Sequence, residues 1–201
     1  MEIVLASRSP RRRALLAQMG IKDFRVLSPD LDEGRWSGLP PAEQVRALSA
    51  EKAGAAAATA PGALVIAADT VVVLEGAVLG KPADEADAVR MLSALSGRQH
   101  QVYTGVTVSG GGAAVTEHEV TTVSFRVLSP LEIARYVKTG EPMDKAGAYG
   151  IQGYGALLVE GIVGDYFNVM GLPVQRLGRV LTRFGVDCLA RAAESSAPAS
   201  T

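Results

Sequence analysis

The stretch Ala63-Leu64-Val65-Ile66-Ala67-Ala68-Asp69-Thr70-Val71-Val72-Val73-Leu74 limits the folds open to this chain more than any other. Residues 63–68 and 70–74 are two apolar runs parted by a single acid, Asp69. Short runs rich in β-branched residues and bounded by turn formers read as buried strands. A carboxylate inside such a run is costly to bury unless it is paired or binds a metal, and ionisable groups in that situation are often functional. Asp69 is therefore the first candidate for chemistry. A strand-end carboxylate that simply reaches water is the plainer alternative.

The rest of the chain supplies partners for that strand. Residues 2–6 and 24–28 read as strands. Between them Ser9 is placed to cap a helix with Pro10 at its first position and Gly20 past its end, and Leu15, Leu16 and Met19 at helical spacing face a core. Residues 29–40 are a polar loop and 41–58 an alanine-rich helix. Glu75-Gly76 turns the chain into a returning strand at 77–79, and 84–96 is an amphipathic helix stopped by Gly97. Residues 99–109 and 113–128 flank Gly110-Gly111-Gly112 as a hairpin. A helix at 130–137, a glycine-rich loop at 144–155, a strand at 156–163 and a helix at 173–184 follow. From Ala190 the chain is mostly alanine and serine and reads as a disordered tail, 190–201, after a single domain at 1–189. Strands and helices mix without strict alternation, so the expected class is α/β around a mixed sheet.

Composition removes several function classes. At 201 residues, 48% of them apolar, the chain can bury a core without cross-links. A formal net charge of −1 gives no overall basic footprint for nucleic acid. One cysteine, Cys188, cannot form an internal disulfide or a cysteine-rich metal site. No window approaches ~18 uncharged apolar residues, so no membrane span is expected. Met1 to Ala6 followed by arginines reverses the order of a secretory signal. The expected location is cytoplasmic.

Four further clusters carry chemistry. Ser7-Arg8-Ser9-Pro10-Arg11-Arg12-Arg13 joins a strand end to a helix N-terminus, where free N–H groups and guanidiniums suit an anion. Gly80-Lys81-Pro82 holds a lysine between a permissive and a rigid residue. Asp144-Lys145-Ala146-Gly147-Ala148-Tyr149-Gly150-Ile151-Gln152-Gly153 is a loop whose glycines allow close backbone approach to a ligand. Asp32-Glu33 is a carboxylate pair that can bind a divalent cation. Each alone also reads as an ordinary cap, turn or solvated face. Together, cationic groups, carboxylates and glycine loops without a His/Cys cluster describe a metal-assisted phosphate site. His100 and His118 read as strand residues, structural or exposed rather than catalytic.

Ser7-Arg8-Ser9-Pro10-Arg11-Arg12, Glu33, Ala68-Asp69-Thr70, Gly80-Lys81-Pro82, Tyr103-Thr104-Gly105-Val106 and the run from Glu141 to Gly153 resemble the Maf family of nucleoside triphosphate pyrophosphatases. The resemblance runs from about Ile3 to Phe184. It implies a Maf/Ham1 (ITPase-like) fold, a mixed sheet in two lobes with a central substrate cleft, a homodimer and a divalent metal, Mg²⁺ or Mn²⁺. It also implies cleavage of a nucleoside triphosphate between its α- and β-phosphates. Arg11, Thr70 and Gln152 match the branch cleaving dTTP and UTP. The branch acting on 7-methyl-GTP carries tryptophan, glutamine and glutamate-bearing motifs in their place. On this resemblance Asp69 is the base or a metal ligand and Glu33 a second carboxylate at the metal. Ser7, Arg12, Lys52, Lys81 and Lys145 contact phosphate or support the site, and Arg11, Thr70 and Gln152 set base specificity. The alternatives are the same chemistry on a modified nucleotide and a nucleotide-binding regulator of cell division.

Overall fold

In the computed structural model β1 (Ile3–Ala6) is entirely buried, as an apolar strand between two parallel neighbours must be. The model describes residues 1–31 and 33–196, the side chains of Glu33, Ser195 and Ser196 excepted. Parallel neighbours need a crossover, and α1 (Pro10–Gln18) provides it between β1 and β2 (Arg25–Leu27). α2 (Pro41–Thr59) leads into β3 (Leu64–Leu74), which β4 (Ala77–Leu79) joins antiparallel. α3 (Glu85–Leu95) precedes the hairpin of β5 (Gln99–Gly110) and β6 (Ala113–Phe125). α4 (Pro130–Val137), three 3₁₀ turns, β7 (Val159–Val163), α5 (Tyr166–Met170), α6 (Val174–Thr182) and α7 (Cys188–Ser196) complete the chain. The sheet order is β2-β1-β3-β5-β6-β7, with β4 beside β3. It mixes parallel and antiparallel pairs and is not closed, as the sequence reading expects.

Two compact units share the chain. The first takes residues 1–69, 105–118 and 171 onward. Its core includes small side chains, with Ala53 and Ala56 of α2 packed on Val4 and Ala6 of β1 and Val65 and Ala67 of β3. Small residues let the helix lie close to the sheet. Gly105 takes this furthest, since a Cβ there would stand 2.1 Å from the carbonyl oxygen of Val45 on α2. The second unit takes residues 70–104 and 119–170. Larger side chains build it: Leu92 and Leu95 of α3, Ile133 and Val137 of α4, and Val123 and Phe125 of β6. α4 starts at a capping box in which the Ser129 hydroxyl accepts from the Glu132 amide and Glu132 accepts from the Ser129 amide.

Three local readings differ from the structure. The two apolar runs around Asp69 are one unbroken strand, because a paired acid need not interrupt a ladder. The short α5, only 5 residues, is too brief to show a helical period. The expected tail from Ala190 onward is helical through Ser196, and residues 197–201 lie outside the described residues. Asp187 is the reason, accepting from the amides of Leu189 and Ala190 at 2.9 and 3.0 Å and so capping α7. Gly20, with φ +84°, ends α1 as expected and also lets α7 close in, for a Cβ there would lie 2.9 Å from the Cys188 carbonyl. Among the described residues no helix is long and apolar enough to cross a membrane.

Candidate active site

Asp69 lies in the middle of β3 with 7% of its surface exposed. Its Oδ1 accepts from the Lys52 ammonium at 2.7 Å. Both side chains are largely buried, 13% exposed for lysine and 11% for aspartate. Lys52 comes from α2, so the pair joins the helix and the strand that the alanine packing brings together. An acid and a base taken out of water together each offset part of the other's desolvation. Oδ2 has no hydrogen-bond partner among the described residues, leaving one carboxylate oxygen for a ligand or a proton.

A second cluster of site candidates forms where β1 runs into α1. Ser9 caps the helix by accepting from the Arg12 amide at 3.4 Å. Ser7, 8% exposed, accepts from the Ser9 amide at 3.3 Å and from Arg12 Nη1 at 3.2 Å. A hydroxyl that already accepts twice has only its proton left to offer. Ser7 therefore presents a donor at the head of a helix, the polarity a phosphate oxygen needs. Arg12 Nε donates to the Gly171 carbonyl at 2.7 Å, which fixes the guanidinium beside Ser7. Arg11 is half-buried on the same first turn.

In the second unit the two glycine motifs meet. The Gly147 amide donates to the Gly80 carbonyl at 3.0 Å, tying the turn that carries Lys81 to the long loop. Lys81 itself is exposed. Lys145 donates to the Glu141 carbonyl at 2.5 Å and to Asp144 Oδ1 at 2.6 Å, so its ammonium is engaged within the loop. Thr70 is half-buried, with its hydroxyl 2.9 Å from that of Thr104 on β5. Gln152 is exposed and makes no hydrogen bond among the described residues. Asp32 and the Glu33 side chain lie outside the described residues.

Sequence reasoning assigned no role to the residues that hold this loop. Glu141 Oε1 accepts from the Tyr136 hydroxyl at 2.8 Å and the Gly155 amide at 3.0 Å, while Oε2 accepts from the Tyr154 amide at 2.8 Å. The Tyr136 hydroxyl accepts in turn from the Gly150 amide at 3.1 Å. The backbone is thus pinned on both sides of Gln152. The glycines follow from it: a Cβ on Gly153 would sit 2.2 Å from Glu141 Oε2, and one on Gly155 2.9 Å from the Tyr136 hydroxyl. Burial works to raise the Glu141 pKa, yet the Gly155 and Tyr154 amides, the Tyr136 hydroxyl and the Lys145 charge outweigh it and hold it below its ordinary value. No periodicity marks such a residue, because two of its three partners are backbone amides.

His100 is buried and structural, one of the two forms the sequence allowed. Its Nε2 lies 2.7 Å from the Tyr149 hydroxyl, and its ring meets Phe125 and Tyr149 edge-on. Burial lowers its pKa from 6.5 to about 4. Above pH 6.5 it is neutral folded or unfolded. As pH falls toward 4 the unfolded chain gains a proton that the folded one refuses, so stability declines across that window and the decline from this group stops below it. Urea midpoints measured between pH 7 and pH 4 will fall in the wild type and fall less in His100→Gln. Equal slopes would show that His100 is not the group responsible.

The divalent cation implied by the family resemblance can be tested against these donors. Among the described residues no three His, Cys, Asp or Glu side chains gather. A hard cation such as Mg²⁺ takes one or two carboxylates and completes its shell with water and phosphate oxygens. A buried carboxylate with one unbonded oxygen, as at Asp69, suits that donor set.

The chain is similar to known proteins over most of its length. A dTTP/UTP pyrophosphatase of Moorella thermoacetica is 55% identical over 192 residues, covering 94% of this chain and 98% of that one. A dTTP/UTP pyrophosphatase of Symbiobacterium thermophilum is 53% identical over 92% of this chain and 94% of its own. A HAM1 protein from Coxiella burnetii shares the fold at a TM-score of 0.51 and 18% identity, over 91% of this chain and 99% of that one. The model of the family described as Maf-like protein matches residues 2–184. With that match spanning all but the two ends, the chain belongs to the Maf-like protein family.

Proposed function

We propose that this protein hydrolyses dTTP and UTP to the monophosphate and pyrophosphate. The observation that carries the reading is identity of 55% and 53%, over more than nine-tenths of the chain, to relatives named for that activity. The buried Asp69–Lys52 pair and the Ser7–Arg12 corner support it, since together they supply a carboxylate and fixed phosphate donors. In the reaction a water oxygen forms a bond to the α-phosphorus, the bond from that phosphorus to the bridging oxygen breaks, and pyrophosphate departs. Asp69 Oδ2 takes the water's proton, while Lys52 holds Oδ1 and keeps the carboxylate aimed. Ser7, Arg12 and Lys81 neutralise charge on the triphosphate, an effect that helps only as far as it strengthens in the transition state. Asp69 and Glu33 would hold a divalent cation, which when bound screens the triphosphate and makes water more acidic. Asp69 can serve as that ligand instead of as the base. Lys145 supports the loop that carries Gln152. Gln152, Arg11 and Thr70 read the base, because the two carbonyls and one N–H of uracil and thymine match a mixed set of donors and acceptors. A homodimer in the cytoplasm completes the proposal, and sedimentation of the purified chain reads the dimer.

Pyrophosphate release from UTP, dTTP, CTP, GTP and 7-methyl-GTP with Mg²⁺ or Mn²⁺ tests the proposal. Preference for UTP and dTTP supports it, and preference for 7-methyl-GTP overturns the assignment of substrate. Arg12→Ala and Lys81→Ala will each lower kcat/KM for UTP by roughly tenfold or more, the value of a hydrogen bond to a charged group. Lys81→Ala will leave thermal stability unchanged, because Lys81 is exposed and makes no hydrogen bond among the described residues. Arg12→Ala will also lower stability, since the arginine braces Ser7 and the Gly171 carbonyl. Wild-type kcat/KM in both variants would remove these side chains from the phosphate site.

A further inference from the structure

We propose that Glu51 is a positioning residue for the divalent cation, because it fastens the turn that begins at Glu33 to the part of α2 that carries Lys52. The proposal rests on the reading of Asp69 and Glu33 as the carboxylates that would hold that cation.

Between β2 and α2 the chain makes a 3₁₀ turn, Glu33–Trp36, of 4 residues. Glycine sits within it at Gly34 and just past it at Gly38, where φ is +101°. Such a backbone has many conformations open to it, and fixing one costs entropy. A single 3₁₀ turn has too few hydrogen bonds of its own to hold that conformation.

Glu51 supplies the hold. It is half-buried on α2, and both of its carboxylate oxygens go to the turn. The Trp36 indole N–H donates to Oε2 at 2.5 Å, and Arg35 Nη1 donates to Oε1 at 3.3 Å. The Arg35 guanidinium also stands 5.0 Å from the centre of the Trp36 ring. The two arms differ in weight. The Arg35 side chain is 65% exposed, and an ion pair so open to water contributes little. The half-buried indole has one donor and gives it to a charged acceptor, the stronger kind of hydrogen bond. The clasp is therefore the Glu51–Trp36 bond, with Arg35 laid over it.

Its place on the helix decides what it does. Lys52 follows Glu51 along α2 and donates to Asp69 Oδ1 at 2.7 Å. Successive residues of a helix point about 100° apart. One stretch of α2 thus reaches the strand through Lys52 and the turn through Glu51. Residues three apart in a 3₁₀ turn fall on one face, so fixing position 36 also fixes position 33. Glu33 then meets the cation on a backbone already ordered, and the entropic cost falls on folding rather than on binding.

The experiment titrates Mn²⁺ into the wild type, Glu51→Ala, Glu51→Gln, Trp36→Phe and Glu33→Gln, with free Mn²⁺ read by its EPR signal. Glu51→Ala and Trp36→Phe will each weaken Mn²⁺ binding roughly tenfold, the value of one hydrogen bond to a charged group. The double variant will bind no more weakly than the weaker single one, because both changes remove the same bond. Trp36 is the only tryptophan of the chain, so its emission reports the clasp directly and will shift to the red in Glu51→Ala. Glu51→Gln keeps an acceptor for the indole and removes the charge, and it will bind Mn²⁺ within a few-fold of the wild type. A loss in Glu51→Gln equal to that in Glu51→Ala makes the charge itself the cause and overturns the positioning. Wild-type affinity in Glu51→Ala and Trp36→Phe, with weakened binding in Glu33→Gln, overturns the clasp alone. Wild-type affinity in Glu33→Gln, or no Mn²⁺ binding by the wild type, overturns the reading of the metal ligands and the clasp with it.

Discussion

Asp69→Asn will lower turnover of UTP by at least ~10²-fold, the range expected when a positioned acid–base group is lost. Asparagine keeps the shape and keeps an oxygen that can accept from Lys52. It removes the charge that would bind a metal or take a proton. The structure adds a second consequence. Lys52 is 13% exposed and lies 2.7 Å from Asp69, so the variant removes one charge from a largely buried ion pair. Truncating one partner of a buried pair costs about 3–5 kcal/mol, and the retained hydrogen bond reduces that here. The expected variant is folded, has a lower melting temperature and is nearly inactive. Circular dichroism and pyrophosphate release on the same sample separate the effects. Turnover within a few-fold of wild type in a folded sample would show that Asp69 is neither base nor metal ligand.

Glu141→Ala will destabilise the protein by roughly 3 kcal/mol, since three hydrogen bonds to a carboxylate vanish and each is worth about 1.5–3 kcal/mol before the loop relaxes. For a chain of this size that is a fall in melting temperature of roughly 10 °C. The Tyr136 hydroxyl, on a residue only 5% exposed, loses its acceptor, and the amides of Tyr154 and Gly155 must find water. Gln152 lies between the two pinned stretches, so KM for UTP will rise more than kcat falls. Acid acts in the same direction on the wild type. Because the Glu141 pKa is held below its ordinary 4.5, its contribution is complete above that pH and is lost as pH falls below it. Unchanged melting temperature and unchanged KM in Glu141→Ala would mean that the loop holds itself.

The sequence by itself determined the order of elements, the mixed sheet and the family. Periodicity and caps are local, so Ser9-Pro10 and Ser129-Pro130 marked helix starts, and Gly110-Gly111-Gly112 marked the hairpin that the structure contains. Asp69 stood out because an acid within an apolar strand is anomalous whatever surrounds it. Lys52 was named by family resemblance as a phosphate contact, but its pairing with Asp69 was not legible until the alanine packing brought helix and strand together. α7 escaped because its cap, Asp187, works by contact with backbone and its packing depends on Gly20, far away in sequence. Glu141 entered only as the start of a family motif and Tyr136 not at all, so their part in holding the loop was not legible. Their roles lie in which backbone or hydroxyl group they meet, and hydrogen-bond direction is a property of assembled neighbours. Residue type and spacing are written along the chain, whereas pairing, burial and the polarity of a shared proton exist only once distant segments touch.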